Sequence, residues 1–206
     1  MRFKKYLLKQ PLFLLGLLFL FSCSNEENVK NTAGAVAEQP AQKPKGQFPF
    51  YKNISIRPGL DFEVVSWGKG LDSIGGYLVL MSDSTKSNYK SMSNEREGII
   101  TDAWNMDMDN DGNPEVYIEL MSEKDKLDLH VYEYSGGSFR KITFPGLSNN
   151  MKKIYGGKDK FFIKEGDLYR SFPVVAAEGS DEPAGTTKTI QYRLSGNSFS
   201  ASEVTE

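Results

Sequence analysis

The chain reads Asp-Met-Asp-Asn-Asp-Gly-Asn-Pro-Glu over residues 107–115 and continues into the apolar run Val-Tyr-Ile-Glu-Leu over residues 116–120. The Asp, Asn, Gly and Pro residues of the first part predict a tight turn, and the run after it predicts a β-strand. A second strand is predicted before the turn, at residues 98–106. This stretch therefore predicts two antiparallel strands joined by an acidic turn.

Working outward, short segments rich in β-branched and aromatic residues recur through most of the chain. Strands are predicted at residues 62–67, 76–81, 99–106, 116–121, 127–134, 139–144, 160–164, 168–175, 189–194 and 198–204. Glycine-containing segments at residues 135–138, 165–167 and 195–197 predict tight hairpins. Only residues 86–96 and 147–154 are compatible with a helical turn. The expected fold is all-β and antiparallel, a single-domain β-sandwich or flattened barrel.

The acidic turn also has the spacing of a calcium site. Its oxygen-bearing side chains occupy every second position, at Asp107, Asp109, Asp111, Asn113 and Glu115. Ca²⁺ binds several oxygen ligands in a flexible geometry, and Gly112 permits the sharp turn that such a site needs. An EF-hand is excluded, because its twelfth position requires an acidic residue and Ile118 stands there. We expect calcium bound by a turn of another kind.

A metal-free turn is the alternative interpretation of these residues. Asp, Asn and Gly are also the residues with which hairpins satisfy their own backbone. The four carboxylates within nine residues favour the ion, because they repel one another unless a cation or solvent screens them. In either case the turn is expected to stabilise the fold and not to catalyse a reaction.

The first 22 residues have the features of an export signal. Four basic residues precede an apolar run at residues 11–21 that is too short to span a bilayer. The segment Leu-Phe-Ser-Cys at residues 20–23 resembles a bacterial lipobox, which implies that Cys23 carries the lipid anchor. Since Cys23 is the only cysteine, no disulfide is expected. The alternative is an ordinary secretory signal.

Residues 23–47 are predicted to form a flexible tether. They contain Ala, Lys, Gln, Glu, Asn and Pro with almost no large apolar side chain, and such a segment buries too little surface to order itself. Ser-Asn-Glu-Glu at residues 24–27 resembles the acidic signal of Bacteroidetes-type surface lipoproteins. The folded domain is expected at residues 48–206, anchored to the outer membrane at its periplasmic face or at the cell surface.

Charge and composition disfavour two function classes. Without the four basic residues of the signal, 21 basic residues face 27 acidic ones, so the mature chain has a net charge of −6. That charge disfavours nucleic acid and suits a basic partner. His130 is the only histidine, and no serine stands in a nucleophile-elbow sequence. An enzyme is therefore not expected.

Five segments carry a family resemblance. They are Ser-Ile-Gly-Gly-Tyr at residues 73–77, the turn ending in Asn-Pro-Glu at 113–115, Tyr-Gly-Gly-Lys-Asp-Lys-Phe at 155–161, Leu-Tyr-Arg-Ser-Phe-Pro at 168–173 and Tyr-Arg-Leu at 192–194. Their order and approximate spacing resemble those of the periplasmic inhibitors of I-type (invertebrate-type) lysozyme, over residues 60–199. The resemblance implies a β-rich exported inhibitor that blocks the active-site cleft of a lysozyme and protects peptidoglycan.

In that family the inhibitory loop follows the strand after the acidic turn and is rich in Ser and Gly, with a tyrosine. Here the corresponding residues are Ser122, Glu123, Lys124, Asp125 and Lys126. Ser122 matches the family's serine, and no tyrosine matches. The mixed charges also fit an ordinary solvated hairpin tip. The alternative function is a non-inhibitory, calcium-stiffened surface lipoprotein that binds an envelope protein or a glycan.

Overall fold

Twelve strands of the described chain form three antiparallel sheets, and each sheet contains four strands that follow one another in sequence. The structure is a computed structural model that describes residues 48–70, 75–122, 125–176, 183 and 185–204. These residues belong to one compact unit, Pro44–Glu206. The predicted signal, the tether and Cys23 lie outside the described residues.

The first sheet contains β1 (Phe50–Arg57), β2 (Leu60–Trp67), β3 (Gly76–Asp83) and β4 (Asn88–Glu95). The second contains β5 (Ile99–Met106), β6 (Glu115–Ser122), β7 (Lys126–Ser135) and β8 (Ser138–Ile142). A short helix, α1 (Asn149–Ile154), precedes the third sheet, which contains β9 (Lys160–Lys164), β10 (Asp167–Pro173), β11 (Thr187–Ser195) and β12 (Ser198–Glu203).

The second sheet has a hydrophobic core on each face. Val116, Ile118 and Leu120 of β6 pack with residues of β2 and β3 in one core. Tyr117, which points to the opposite face because side chains alternate along a strand, packs with residues of β10 and β11 in the other core. The sequence of β6 is therefore apolar on both faces, unlike a half-exposed strand.

The predicted all-β antiparallel class is confirmed, and the arrangement is a sandwich. The three sheets in the described residues are open at their edges and form no closed barrel. Residues 147–154, whose sequence is compatible with a helical turn, contain α1, whose first turn is capped by Ser148. In the described segments, no helix is long and apolar enough to cross a membrane.

The helical alternative for residues 86–96 is wrong, because Asn88–Glu95 forms β4. This strand lies at the edge of the first sheet and is largely exposed. Its sequence is therefore mostly polar and lacks the alternation of apolar and polar residues from which a strand is predicted. The strand β1, at the other edge of the same sheet, was also missed, although Phe50, Ile54 and Ile56 contribute to the core from one of its faces. The three predicted hairpins join β7 to β8, β9 to β10 and β11 to β12.

Candidate metal centre and docking hairpin

The acidic turn joins β5 to β6, where the sequence predicted it. Met106 and Met108 pack against the core between the second and third sheets. The N–H of Asn110 donates to the carbonyl of Asp107 over 3.3 Å, so the chain turns at Met108 and Asp109. The turn itself passes through left-handed backbone at Asn110 (φ 58°) and Gly112 (φ 84°). Both residue types tolerate that conformation, which explains their place in the sequence.

Three of the predicted ligands come together. Asp107, Asp109 and Glu115 each offer a carboxylate oxygen, and these three oxygens lie within 4.8 Å of one another. Asp107 is exposed, Asp109 is half-buried and Glu115 is fully buried. The backbone N–H of Met108 donates to Oε2 of Glu115 over 2.9 Å. The structure thus places a buried carboxylate at the base of a cluster that opens to solvent.

Two buried oxygens of this cluster lack a hydrogen-bond partner. They are Oε1 of Glu115 and Oδ1 of Asp109. A buried polar atom without a partner loses its hydration without compensation and costs about 1–3 kcal/mol, more when it is charged. These two oxygens therefore mark a place where a positively charged ligand would replace the lost water.

Burial raises the pKa of Glu115 to about 7. The hydrogen bond from the Met108 backbone opposes this rise, and the negative charges of Asp109, Asp107 and Asp111 add to it. Burial also raises the pKa of the neighbouring Tyr117, with a further contribution from Glu115. The negative charge of Glu115 is therefore unfavourable in this environment, and either protonation or a bound cation would neutralise it.

The other two predicted ligands are engaged with each other. The backbone N–H of Asn113 donates to Oδ1 of Asp111 over 2.8 Å, and the Asn113 side-chain amide donates to Oδ2 over 2.9 Å. Asp111 is exposed, and its carboxylate is not one of the three that meet. These bonds are those of an Asx turn. In this part of the turn, the metal-free interpretation describes the observed contacts.

The predicted docking loop is the hairpin tip between β6 and β7. Of its residues, Ser122, Asp125 and Lys126 are described, and Glu123 and Lys124 lie outside the described residues. The Ser122 hydroxyl donates to the carbonyl of Lys126 over 3.2 Å. Asp125 has left-handed backbone (φ 54°), and its carbonyl accepts from the N–H of Lys158 over 2.9 Å. The tip is thus held by a segment outside its own hairpin.

A buried ion pair secures the base of this hairpin. Arg170 of β10 donates from Nε to Oδ2 of Asp159 over 2.6 Å, and Nη2 of the same guanidinium donates to the carbonyl of Leu127 over 2.9 Å. Oδ1 of Asp159 accepts from the N–H of Leu127 over 3.1 Å. Both backbone groups of Leu127 are therefore bound by one ion pair.

Tyr155 completes this network. Its hydroxyl donates to Oδ1 of Asp159 over 2.7 Å. Its ring lies 5.4 Å from the guanidinium carbon of Arg170 and 5.8 Å from Nζ of Lys126. Tyr155, Asp159 and Arg170 all belong to the segments that carry the family resemblance, but the sequence did not reveal that they meet. The signal was an Asp and an Arg eleven residues apart, and this spacing is ambiguous without the sheet register.

His130 lies beside an open cleft of about 690 Å³ between the first and second sheets. Its Nδ1 is 2.7 Å from the hydroxyl of Tyr77, which is 2.7 Å from the hydroxyl of Tyr132. Asp128, Lys141 and Phe144 also line the cleft. His130 itself lies in β7 and is half-buried. The cleft itself was not predicted, because its walls come from different sheets.

Comparison of the chain with known families and proteins gives no match. No family model, no curated protein and no solved structure matches it. The resemblance to the lysozyme inhibitors thus rests on the five segments of the sequence.

Proposed function

We propose that this chain is a non-enzymatic, exported lipoprotein that inhibits a lysozyme of the I type, and that it docks through the β6–β7 hairpin tip, residues 122–126. The observation that carries this proposal is the double attachment of Leu127, at the base of that tip, to the ion pair of Asp159 and Arg170. Asp159 and Arg170, which lie in two of the five segments of the resemblance, thus bind the base of the loop that corresponds to the family's inhibitory loop.

Such an attachment is useful to an inhibitor because a docking loop loses conformational entropy when it binds. A loop that is already fixed in the free protein loses less, and its affinity rises accordingly. The described residues in and beside the tip are held at two points, Leu127 at its base and Asp125, whose carbonyl accepts from Lys158. Asp125 and Lys126 are exposed, so they are accessible to a partner.

The chemistry of the tip fits a cleft that binds a sugar chain. Such a cleft is lined with acidic and hydrogen-bonding groups, and a protruding loop that fills it excludes substrate and water. Lys124 and Lys126 supply positive charge for the acids, and Ser122 supplies a hydroxyl. The net negative charge of the mature chain favours association with a basic enzyme. A lipid on Cys23 would keep the inhibitor in the cell envelope, beside the peptidoglycan that it protects.

A cell-wall turbidity assay tests this function. Purified full-length chain is added to I-type, chicken-type and goose-type lysozymes, and the rate of clearing of bacterial cell walls is measured. We expect selective inhibition of the I-type enzyme. A triple variant of the tip, Ser122→Ala with Lys124→Ala and Lys126→Ala, is expected to inhibit at least tenfold more weakly. The reason is that a few central residues contribute most of the binding energy of an interface.

The matched control carries the same residue changes elsewhere on the surface. Ser138→Ala with Lys160→Ala and Lys164→Ala alters three exposed residues outside the tip, and this variant is expected to inhibit like the parent. The melting temperatures of both variants should stay near that of the parent. Equal inhibition by the tip variant and the parent would refute the docking site, and inhibition of none of the three enzymes would refute the function.

A second candidate function is glycan binding without inhibition, and the cleft beside His130 favours it. Its volume of about 690 Å³ is in the range of about 300–1,000 Å³ that is typical of ligand sites. Co-sedimentation with insoluble peptidoglycan distinguishes the two functions. Glycan binding in the cleft predicts that Asp128→Asn with Lys141→Ala abolishes sedimentation while the triple tip variant still sediments. The inhibitor function predicts that the cleft variant still inhibits lysozyme.

A further inference from the structure

We propose that Asp107, Asp109 and Glu115 form a Ca²⁺ site that links the acidic turn to the start of β6. The site is independent of the proposed inhibitor function, because it lies at the opposite end of β6 from the hairpin tip. The proposal rests on two observations together: three carboxylate oxygens lie within 4.8 Å of one another, and two of these residues, Glu115 and Asp109, each have a buried oxygen without a partner.

The buried oxygen is the decisive observation. Clusters of exposed acids are common on protein surfaces, but Glu115 has no exposed surface. One of its oxygens, Oε2, accepts from the Met108 backbone. The other, Oε1, has no hydrogen-bond partner, and neither has the buried hydroxyl of the neighbouring Tyr117. Oδ1 of Asp109 is buried and unpartnered as well. A cation bound between these atoms satisfies both oxygens and neutralises charge that is otherwise expensive to bury.

The donor set selects the class of cation. All three ligands are carboxylates, which suit Ca²⁺, Mg²⁺ and Mn²⁺ and disfavour metals that prefer sulfur or imidazole. Mg²⁺ requires a nearly ideal octahedron, whereas Ca²⁺ accepts irregular geometry and completes its coordination with carbonyl oxygens and water. Asp107 is exposed, so the site has an entry path and room for water ligands. An irregular cluster of this kind favours Ca²⁺.

Thermal unfolding and terbium luminescence of the full-length chain test the site. In chelator-treated protein we expect added Ca²⁺ to raise the melting temperature, by about 5–10 °C at a hundredfold excess over Kd. Tb³⁺ replaces Ca²⁺ in oxygen sites and emits when a nearby aromatic ring transfers energy. Tyr117 stacks on Trp104 at 5.7 Å between centroids and lies two residues from Glu115, so bound Tb³⁺ should luminesce and Ca²⁺ should quench the signal by displacement.

Two single variants and one control locate the site. Asp109→Asn and Glu115→Gln each remove a ligand charge with little change in shape, and both should abolish the calcium-dependent rise in melting temperature and the terbium signal. Asp111→Asn removes a charge from the same turn but outside the cluster, and it should keep both responses.

The proposal is overturned if the melting temperature of the parent is the same in excess Ca²⁺ and in chelator and no terbium signal is seen. It is also overturned if Asp111→Asn loses the calcium response as completely as Asp109→Asn. The ion would then be attracted by the overall negative charge of the turn and not bound by the three proposed ligands. A rise with Mg²⁺ as large as that with Ca²⁺ would refute the assignment to calcium.

Discussion

Arg170 of β10 and Asp159 of the segment before β9 form an ion pair that is closed to solvent, with Nε of the guanidinium 2.6 Å from Oδ2 of the carboxylate and each residue 5 % exposed. The pair also binds both backbone groups of Leu127 in β7. It therefore connects the second and third sheets at the base of the β6–β7 hairpin, and its removal should have both a global and a local effect.

The global effect concerns stability. Asp159→Ala leaves the Arg170 charge buried without its partner, and breaking a buried pair in this way costs about 3–5 kcal/mol. We expect the free energy of unfolding in urea to fall by that amount. The control is Lys52→Ala, which breaks the half-exposed pair between Lys52 and Asp102 and should cost about 0–1 kcal/mol. Similar losses in the two variants would show that the buried pair has no special role.

The local effect concerns the hairpin. The N–H of Leu127 donates to Oδ1 of Asp159, so Asp159→Ala should expose this amide to exchange with solvent. The N–H of Val131, in the middle of β7, serves as the reference for any global loss of stability. Relative to that reference we expect Leu127 to exchange about tenfold faster or more, because a hydrogen bond to a charged group contributes about 1.5–3 kcal/mol. An unchanged ratio of the two exchange rates would contradict an attachment of the hairpin through Asp159.

The central strands could be predicted from the sequence because their side chains are apolar on one or both faces. The run after the acidic turn became β6 for this reason. The polar edge strand β4 could not be recognised, since its hydrogen bonds to β3 and not its burial define it. Local sequence therefore predicted the buried strands better than the edge strands.

The candidate metal site was predicted in part. The spacing of the acids predicted a cluster that includes Asp107, Asp109 and Glu115, and the turn brings the carboxylates of these three residues together. It did not reveal that Asn113 would engage Asp111, nor that Glu115 would be fully buried. The ion pair of Asp159 and Arg170 depends on the third sheet, because Arg170 belongs to β10. Such contacts are set by sheet packing.

Gly98 provides a prediction about the start of β5. Its φ is +116°, and a Cβ atom there would lie 2.5 Å from the carbonyl oxygen of Met121. Gly98→Ala should therefore suffer both backbone strain and a steric clash. Gly137→Ala is the control, since Gly137 has φ +80° and open space around it, so it should pay only the strain of about 1–2 kcal/mol.

We expect Gly98→Ala to lower the free energy of unfolding by at least about 1 kcal/mol more than Gly137→Ala, because overpacking adds about 1–3 kcal/mol. Urea unfolding of both variants measures the difference. Equal losses would mean that β5 and β6 separate at this point without cost.

His130 provides a prediction about pH. Burial lowers its pKa, and Lys141 adds to the effect, while Asp128 and Glu97 oppose it. The folded state therefore disfavours protonated His130, whereas the unfolded chain binds the proton at a pKa of about 6.5. The contribution of neutral His130 to stability is complete above that pH and is lost as the pH falls below it.

His130→Gln removes this titration and keeps a group that can bond to the hydroxyl of Tyr77. The measured quantity is the free energy of unfolding of the parent minus that of the variant, between pH 5 and pH 8 in the presence of chelator. Glu115, whose raised pKa gives a pH dependence of opposite sign, is present in both proteins and cancels in the difference. We expect the difference to be constant above about pH 7 and to decrease on acidification below about pH 6.5. A difference that stays constant or increases towards pH 5 would contradict a lowered pKa and would place His130 in contact with solvent.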